Sequence, residues 1–144
     1  MNADEGMPSC TILMADDDAE DRFFVTEALK ELNCGAQLCL VEDGLELTHF
    51  LKRAGKYTDP GIAPRPAMIL LDLDMPKKDG RKALCEIKSD AELQQIPLIV
   101  WTDCFELDER IQCRKAGAED FVAKPADFTE LMNMIRKLIM QYGS

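Results

Sequence analysis

The sequence predicts an α/β domain, a doubly wound parallel sheet of five strands covered by helices on both faces, and three observations lead there. Short apolar runs recur at Thr11–Ala15, Gln37–Val41, 67–71, 97–101 and 118–123. Each is followed by turn or cap chemistry and then by a stretch of helical period, the pattern of alternating strands and helices. The runs are continuously apolar, as in strands buried on both faces of a parallel sheet.

The helices follow in order. Phe24, Val25, Ala28, Leu29 and Leu32 form one apolar stripe at helical spacing, and Leu47, Thr48, Phe50, Leu51 and Ala54 form a second. Further helices fit 82–89 and 106–116. The last, from Asp127, carries Phe128, Leu131, Met132, Ile135, Leu138, Ile139 and Tyr142 on one face and is the most regular signal in the chain. Residues 55–66, rich in Gly and Pro, read as an extended surface loop.

With 144 residues, 47% of them hydrophobic, the chain is long enough for one core and is expected to be a single domain. A formal net charge of -10 argues against nucleic-acid binding, which relies on Lys and Arg neutralising phosphates. The six cysteines, Cys10, Cys34, Cys39, Cys85, Cys104 and Cys113, contain no CxxC pair and read as reduced thiols. The acidic start, with Asp4 and Glu5, is unlike a secretory signal, and no apolar stretch approaches the roughly 20 residues of a membrane helix. The expected location is the cytoplasm, with no membrane contact.

In an open parallel sheet, ligands bind beyond the carboxyl ends of the strands. The first run leads into Asp16, Asp17 and Asp18, the third into Asp72, Leu73 and Asp74, the fourth into Thr102 and the fifth into Lys124. Asp18, just before a helix, reads as its N-cap. Clustered carboxylates repel, with unit charges about 4 Å apart costing on the order of 4 kcal/mol at an effective dielectric near 20. A hard divalent cation offsets that repulsion, and magnesium favours a few carboxylates plus waters and phosphoryl oxygens. Asp16 and Asp17 are therefore candidate ligands. Asp72 is the candidate nucleophile, since a carboxylate can attack phosphorus to give an aspartyl phosphate. Lys124 and the Thr102 hydroxyl suit the transferred oxygens.

Together these residues resemble the receiver domain of two-component response regulators. The elements are ILMADDD at 12–18, MILLDLDMPKKDG at 68–80, LIVWT at Leu98–Thr102 and AEDFVAKP at 118–125. The resemblance implies a flavodoxin-like (βα)5 fold of strand order 2-1-3-4-5, with residues 1–9 a disordered extension and 10–144 the receiver domain. It implies Asp72 as phosphoacceptor, with Mg2+ held by Asp17 and Asp72, by Asp16 through water and by the backbone carbonyl of Asp74. Lys124 and Thr102 assist, and Thr102 and Phe121 form a switch pair acting on the face of helix 4, strand 5 and helix 5. Met75, Pro76 and Gly80 match the turn after the acceptor strand, where Gly relieves backbone strain. Such a protein is a phosphoacceptor that assists its own phosphorylation and dephosphorylation rather than an enzyme. Its implied partners are a sensor histidine kinase and a downstream protein. The 55–66 loop and LDLDMPKKDG look like the stand-alone type paired with phytochrome-like kinases, often homodimers.

Asp103 stands where the family has a small residue, Asp74 where it more often has a neutral or basic one, and Cys104 at a position that tunes dephosphorylation. Asp103 sustains an alternative, a receiver-like docking module that is never phosphorylated. A haloacid-dehalogenase-like phosphatase would share Asp72 and Asp74, but its second acidic pair should follow the lysine, whereas Asp16 and Asp17 precede it. His49 stands alone within the second helix, which argues against histidine chemistry.

Overall fold

The structure is a computed structural model and describes residues 10–103 and 106–143. The expected extension at 1–9 and Cys104 lie outside the described residues. The chain alternates β1 (Thr11–Ala15), α1 (Ala19–Leu32), β2 (Gln37–Val41), α2 (Gly44–Lys52), β3 (Met68–Leu71), α3 (Gly80–Ser89), β4 (Leu98–Thr102), α4 (Leu107–Ala116), β5 (Asp120–Ala123) and α5 (Phe128–Tyr142). The five strands form one parallel sheet in the order β2-β1-β3-β4-β5. This is the expected flavodoxin-like arrangement.

Strand alternation divides the core in two. Ile12, Met14, Met68, Leu70, Ile99 and Trp101 project onto one face, where Val25, Ala28, Leu29 and Leu32 of α1 meet Leu131, Ile135, Leu138 and Ile139 of α5. Leu13, Ala15, Ile69, Leu71, Leu98, Val100 and Phe121 fill the other, against α2, α3 and Cys113 of α4. The central strands are buried on both faces, which explains their unbroken apolar runs.

Local chemistry sets the helix ends. Asp18 caps α1, its carboxylate accepting from Glu20 N at 2.8 Å and Asp21 N at 3.4 Å. Asn33 ends α1 in the left-handed region, φ 49°. Asp43 and Asp127 cap α2 and α5 through Glu46 N and Glu130 N.

Four expectations shift. Phe24 is 40% exposed and lies outside the buried stripe of α1. Ala54 follows the α2 C-cap, Arg53. Thr102 is the last residue of β4, paired with Ala123, rather than the first residue beyond it. The 55–66 segment is no simple surface loop. It contains a 3-10 turn at Gly55–Tyr57, and Tyr57 and Ala63 are buried in the core. The Tyr57 hydroxyl donates to Glu46 Oε2 at 2.5 Å, which ties the segment to α2.

Gly80 is needed for space. A Cβ there would lie 2.5 Å from the Asp72 carbonyl oxygen and 2.6 Å from Leu73 Cα. The left-handed residue in this turn is Lys77, at φ 65°, so the expected relief of strain by Gly80 is corrected to close backbone approach. Gly80→Ala should therefore cost about 2 kcal/mol or more of stability, read as a lower midpoint in urea unfolding with an unchanged slope.

Candidate functional site

At the carboxyl end of the sheet the hydrogen-bond ladder runs one residue past the strands. Asp16 N donates to Val41 O at 3.1 Å, Asp72 N to Ala15 O at 2.9 Å and Lys124 N to Thr102 O at 2.8 Å. Ala15 pairs with Leu71 and Thr102 with Ala123. The acids leaving β1 and β3 consequently stand side by side, with Lys124 leaving β5 on their far side.

Carboxylate oxygens of Asp16, Asp17 and Asp72 all lie within 4.8 Å of one another. Asp16 and Asp72 are buried, at 0% and 6% exposure, while Asp17 is open to solvent. Lys124 Nζ reaches this group from the side, 3.2 Å from Asp16 Oδ2 and 3.6 Å from Asp72 Oδ2. Its shortest contact is with Asp21 Oδ2, at 2.7 Å, and the exposed Asp103 comes within 3.8 Å.

The charge balance follows from one ammonium facing several carboxylates. Burial pushes the Asp16 carboxyl up to about 7, against the hydrogen bond from Asp18 N and the attraction of Lys124. Burial also raises Asp72, again opposed by Lys124. For Lys124 burial acts downward, but the Asp21 hydrogen bond and the charges of Asp16 and Asp72 outweigh it and hold the ammonium above its ordinary range. Lys124 thus stays charged, and it is too thinly shared to keep every acid ionised. The uncompensated oxygens form an all-oxygen, partly solvent-facing donor set that suits a hard divalent cation.

Of the remaining expected residues, Asp74 adjoins this cluster, and Thr102 and Phe121 lie on the other face of the sheet. Asp74 is exposed, its backbone N–H points to Asp72 Oδ1 at 3.3 Å, and its carboxylate faces Arg81 Nη1 at 3.4 Å. Thr102 is 3% exposed, on the opposite side of β4 from Trp101. Phe121 pairs with Val100 and is buried in the cluster against α3 and α4, one step diagonally from Thr102. His49 is exposed on α2. Two participants escaped the sequence reading. Asp21 stands in the first turn of α1, one turn beyond the cap Asp18, and Trp101 reads there only as a strand residue.

The response regulator receiver domain model matches residues 12–136. The chain belongs to the response regulator receiver domain family. Response regulator Rcp1 of Synechocystis sp. (strain ATCC 27184 / PCC 6803 / Kazusa) is 35% identical over 134 residues, spanning 93% of this chain and 89% of that protein. The solved manganese-bound form of Rcp1 superimposes with a TM-score of 0.79 at 34% identity, over 90% of this chain and 91% of that one. The phosphorylated cyanobacterial phytochrome response regulator RcpA superimposes at 0.84 and 30% identity, over 93% and 94%. The receiver domain departs from the other expected reading, a haloacid-dehalogenase-like phosphatase, in family and in the chain order of its acids. No helix among the described residues is long and apolar enough to cross a membrane.

Between its ordinary 3.8 and about 7, the Asp16 carboxyl holds a proton in the folded receiver domain that the unfolded chain has released. The folded state binds more protons there, so metal-free stability falls as pH rises through that window. The melting temperature in EDTA is expected to be lower at pH 8 than at pH 5. Asp72→Asn, which removes one buried charge, should raise it at pH 8 by a few degrees, about 1 kcal/mol.

Proposed function

We propose that this receiver domain accepts a phosphoryl group on Asp72 from a sensor histidine kinase, with Mg2+ held by Asp17, Asp72 and the backbone carbonyl of Asp74, and by Asp16 through water. The observation that carries the reading is the convergence of Asp16, Asp17 and Asp72 within 4.8 Å, with the Lys124 ammonium 3.6 Å from Asp72 Oδ2. Bound magnesium supplies positive charge to the phosphoryl oxygens.

The chain's own residues do the rest. A side-chain oxygen of Asp72 forms the new bond to phosphorus as the bond to the donor's imidazole nitrogen breaks, and the electron pair leaves with that nitrogen. Lys124 pairs with one phosphoryl oxygen, exchanging part of its contact with the acids for the more highly charged group. The Thr102 hydroxyl donates to another. Hydrolysis of the aspartyl phosphate at the same site returns the domain to its starting state.

The added charge and acceptor oxygens draw Thr102 toward Asp72, and Phe121 on the same sheet face adjusts to the space left. The equilibrium of the α4, β5 and α5 surface shifts with them, and a downstream protein or a second copy reads that surface. Similarity to RcpA, a phytochrome response regulator, supports a phytochrome-like kinase as donor, and the cytoplasm is the setting proposed for the exchange. Residues 10–144 make up the functional unit, preceded by an extension at 1–9.

Intact mass after incubation with acetyl phosphate tests the reading. An adduct of about 80 Da, the mass of the transferred phosphoryl group, is expected in the wild type with magnesium. It should be absent with EDTA, absent in Asp72→Asn and reduced in Asp17→Ala. Labelling of Asp72→Asn at the wild-type level would remove the acceptor assignment. An unlabelled wild type that becomes labelled as Asp103→Ala would show that Asp103, 3.8 Å from Lys124, closes the site to small donors. No labelling in either protein would favour a docking module.

A further inference from the structure

Asp16 is the most deeply buried acid of the site, and each of its side-chain oxygens is already engaged. Oδ1 accepts from Asp18 N at 2.9 Å, and Oδ2 accepts from the indole Nε1 of Trp101 at 3.0 Å while facing Lys124 Nζ at 3.2 Å. Trp101 belongs to β4, and β3 lies between it and β1. Its side chain therefore spans a strand to reach the acid. Strand alternation permits this because Met14, Leu70 and Trp101 all face α1 and α5, and Asp16 and Asp72 continue that face beyond β1 and β3. The same indole ring lies beneath Lys124, whose Nζ is 5.2 Å from the ring centroid.

We infer that Trp101 is a positioning residue of the acidic site, its indole N–H fixing Asp16 and its ring supporting Lys124, so that metal affinity depends on an uncharged side chain from β4. The inference rests on the proposed magnesium-dependent acceptor. An indole N–H donates only, has one direction, and is held here by a ring that is 2% exposed. Lys124 is less suited to the task, because its ammonium is divided among Asp21, Asp16, Asp72 and Asp103. It must also turn toward a phosphoryl oxygen once Asp72 is modified. Trp101 then holds Asp16 Oδ2 in both states. Partners of this kind, which orient a ligand without touching the ion, commonly change metal affinity by 10- to 100-fold when removed.

Trp101 is the only tryptophan in the chain, so a tryptophan analogue fed to an auxotroph labels this position alone. Replacing it with β-(3-benzothienyl)alanine keeps the ring's size and exchanges the N–H for sulfur. Magnesium affinity measured by calorimetry should weaken about tenfold in that protein, with the metal-free form still folded and its melting temperature lowered by only a few degrees for the hydrogen bond lost at Asp16. Trp101→Phe should weaken binding in the wild-type background and add less than twofold in an Asp16→Asn background, because the two changes remove one interaction. A residue that only filled the core would weaken both backgrounds alike.

Wild-type affinity in the benzothienyl protein would overturn the inference and leave the acceptor reading standing. A benzothienyl protein that fails to fold would also overturn it, since the N–H would then serve stability rather than the site. Absence of magnesium binding and of phosphoryl labelling in the wild type itself would overturn the acceptor reading, and this inference with it.

Discussion

One buried ammonium held among an excess of carboxylates organises the carboxyl end of the sheet. Lys124 lies within 4 Å of Asp16, Asp21, Asp72 and Asp103, and those acids arrive from β1, α1, β3 and the end of β4. No single element supplies both that lysine and the acids around it. The cluster exists only because parallel strands place their carboxyl ends together, and it leaves negative charge in excess where the sheet meets solvent. Burial raises Asp16 and Asp72 together while Lys124 is held charged, so the domain is poised to accept a cation or a group that uses that lysine.

The two faces of the sheet divide the labour. Asp16, Asp72 and Trp101 continue the side covered by α1 and α5, whereas Phe121 lies in the core on the α2 to α4 side. Thr102, the last residue of β4, follows Trp101 in the strand and so turns toward the Phe121 side. Two neighbouring residues of one strand thus have opposite outlooks, Trp101 toward Asp16 and Thr102 toward the Phe121 side.

Helix α4 is also tied, through Arg81 of α3, to the loop that follows the acceptor strand. Arg81 in α3 donates to Glu109 of α4 through Nε at 3.1 Å and through Nη2, and to Asp79 at 3.0 Å. The same guanidinium faces Asp74, the extra carboxylate two residues beyond Asp72. Asp74 is therefore drawn toward Arg81, which offsets part of the repulsion that its charge would otherwise bring to the site.

The strand and helix order, the doubly wound class and the chemistry-bearing strand ends are legible in the amino-acid sequence. Those signals are local: β1 and β3 are unbroken apolar runs because both faces are covered, and Asp18 and Asp127 cap helices through bonds to residues two or three positions away. The family motifs likewise lie within single segments, so Asp16, Asp17, Asp72, Thr102 and Lys124 were all legible as candidates, and the fold sets them at one end of the sheet. Other contacts depend on distance between segments far apart in the chain and emerge only on folding. Asp21 and Trp101 carry no local mark of their contacts, because one faces Lys124 across 103 positions and the other faces Asp16 across 85. The burial of Tyr57 and Ala63 in a segment rich in Gly and Pro follows from packing against residues remote in the chain, and the space that requires Gly at position 80 follows from the return of the turn onto the backbone of Asp72 and Leu73. Periodicity records which side of an element is covered, and only the assembled sheet specifies by what.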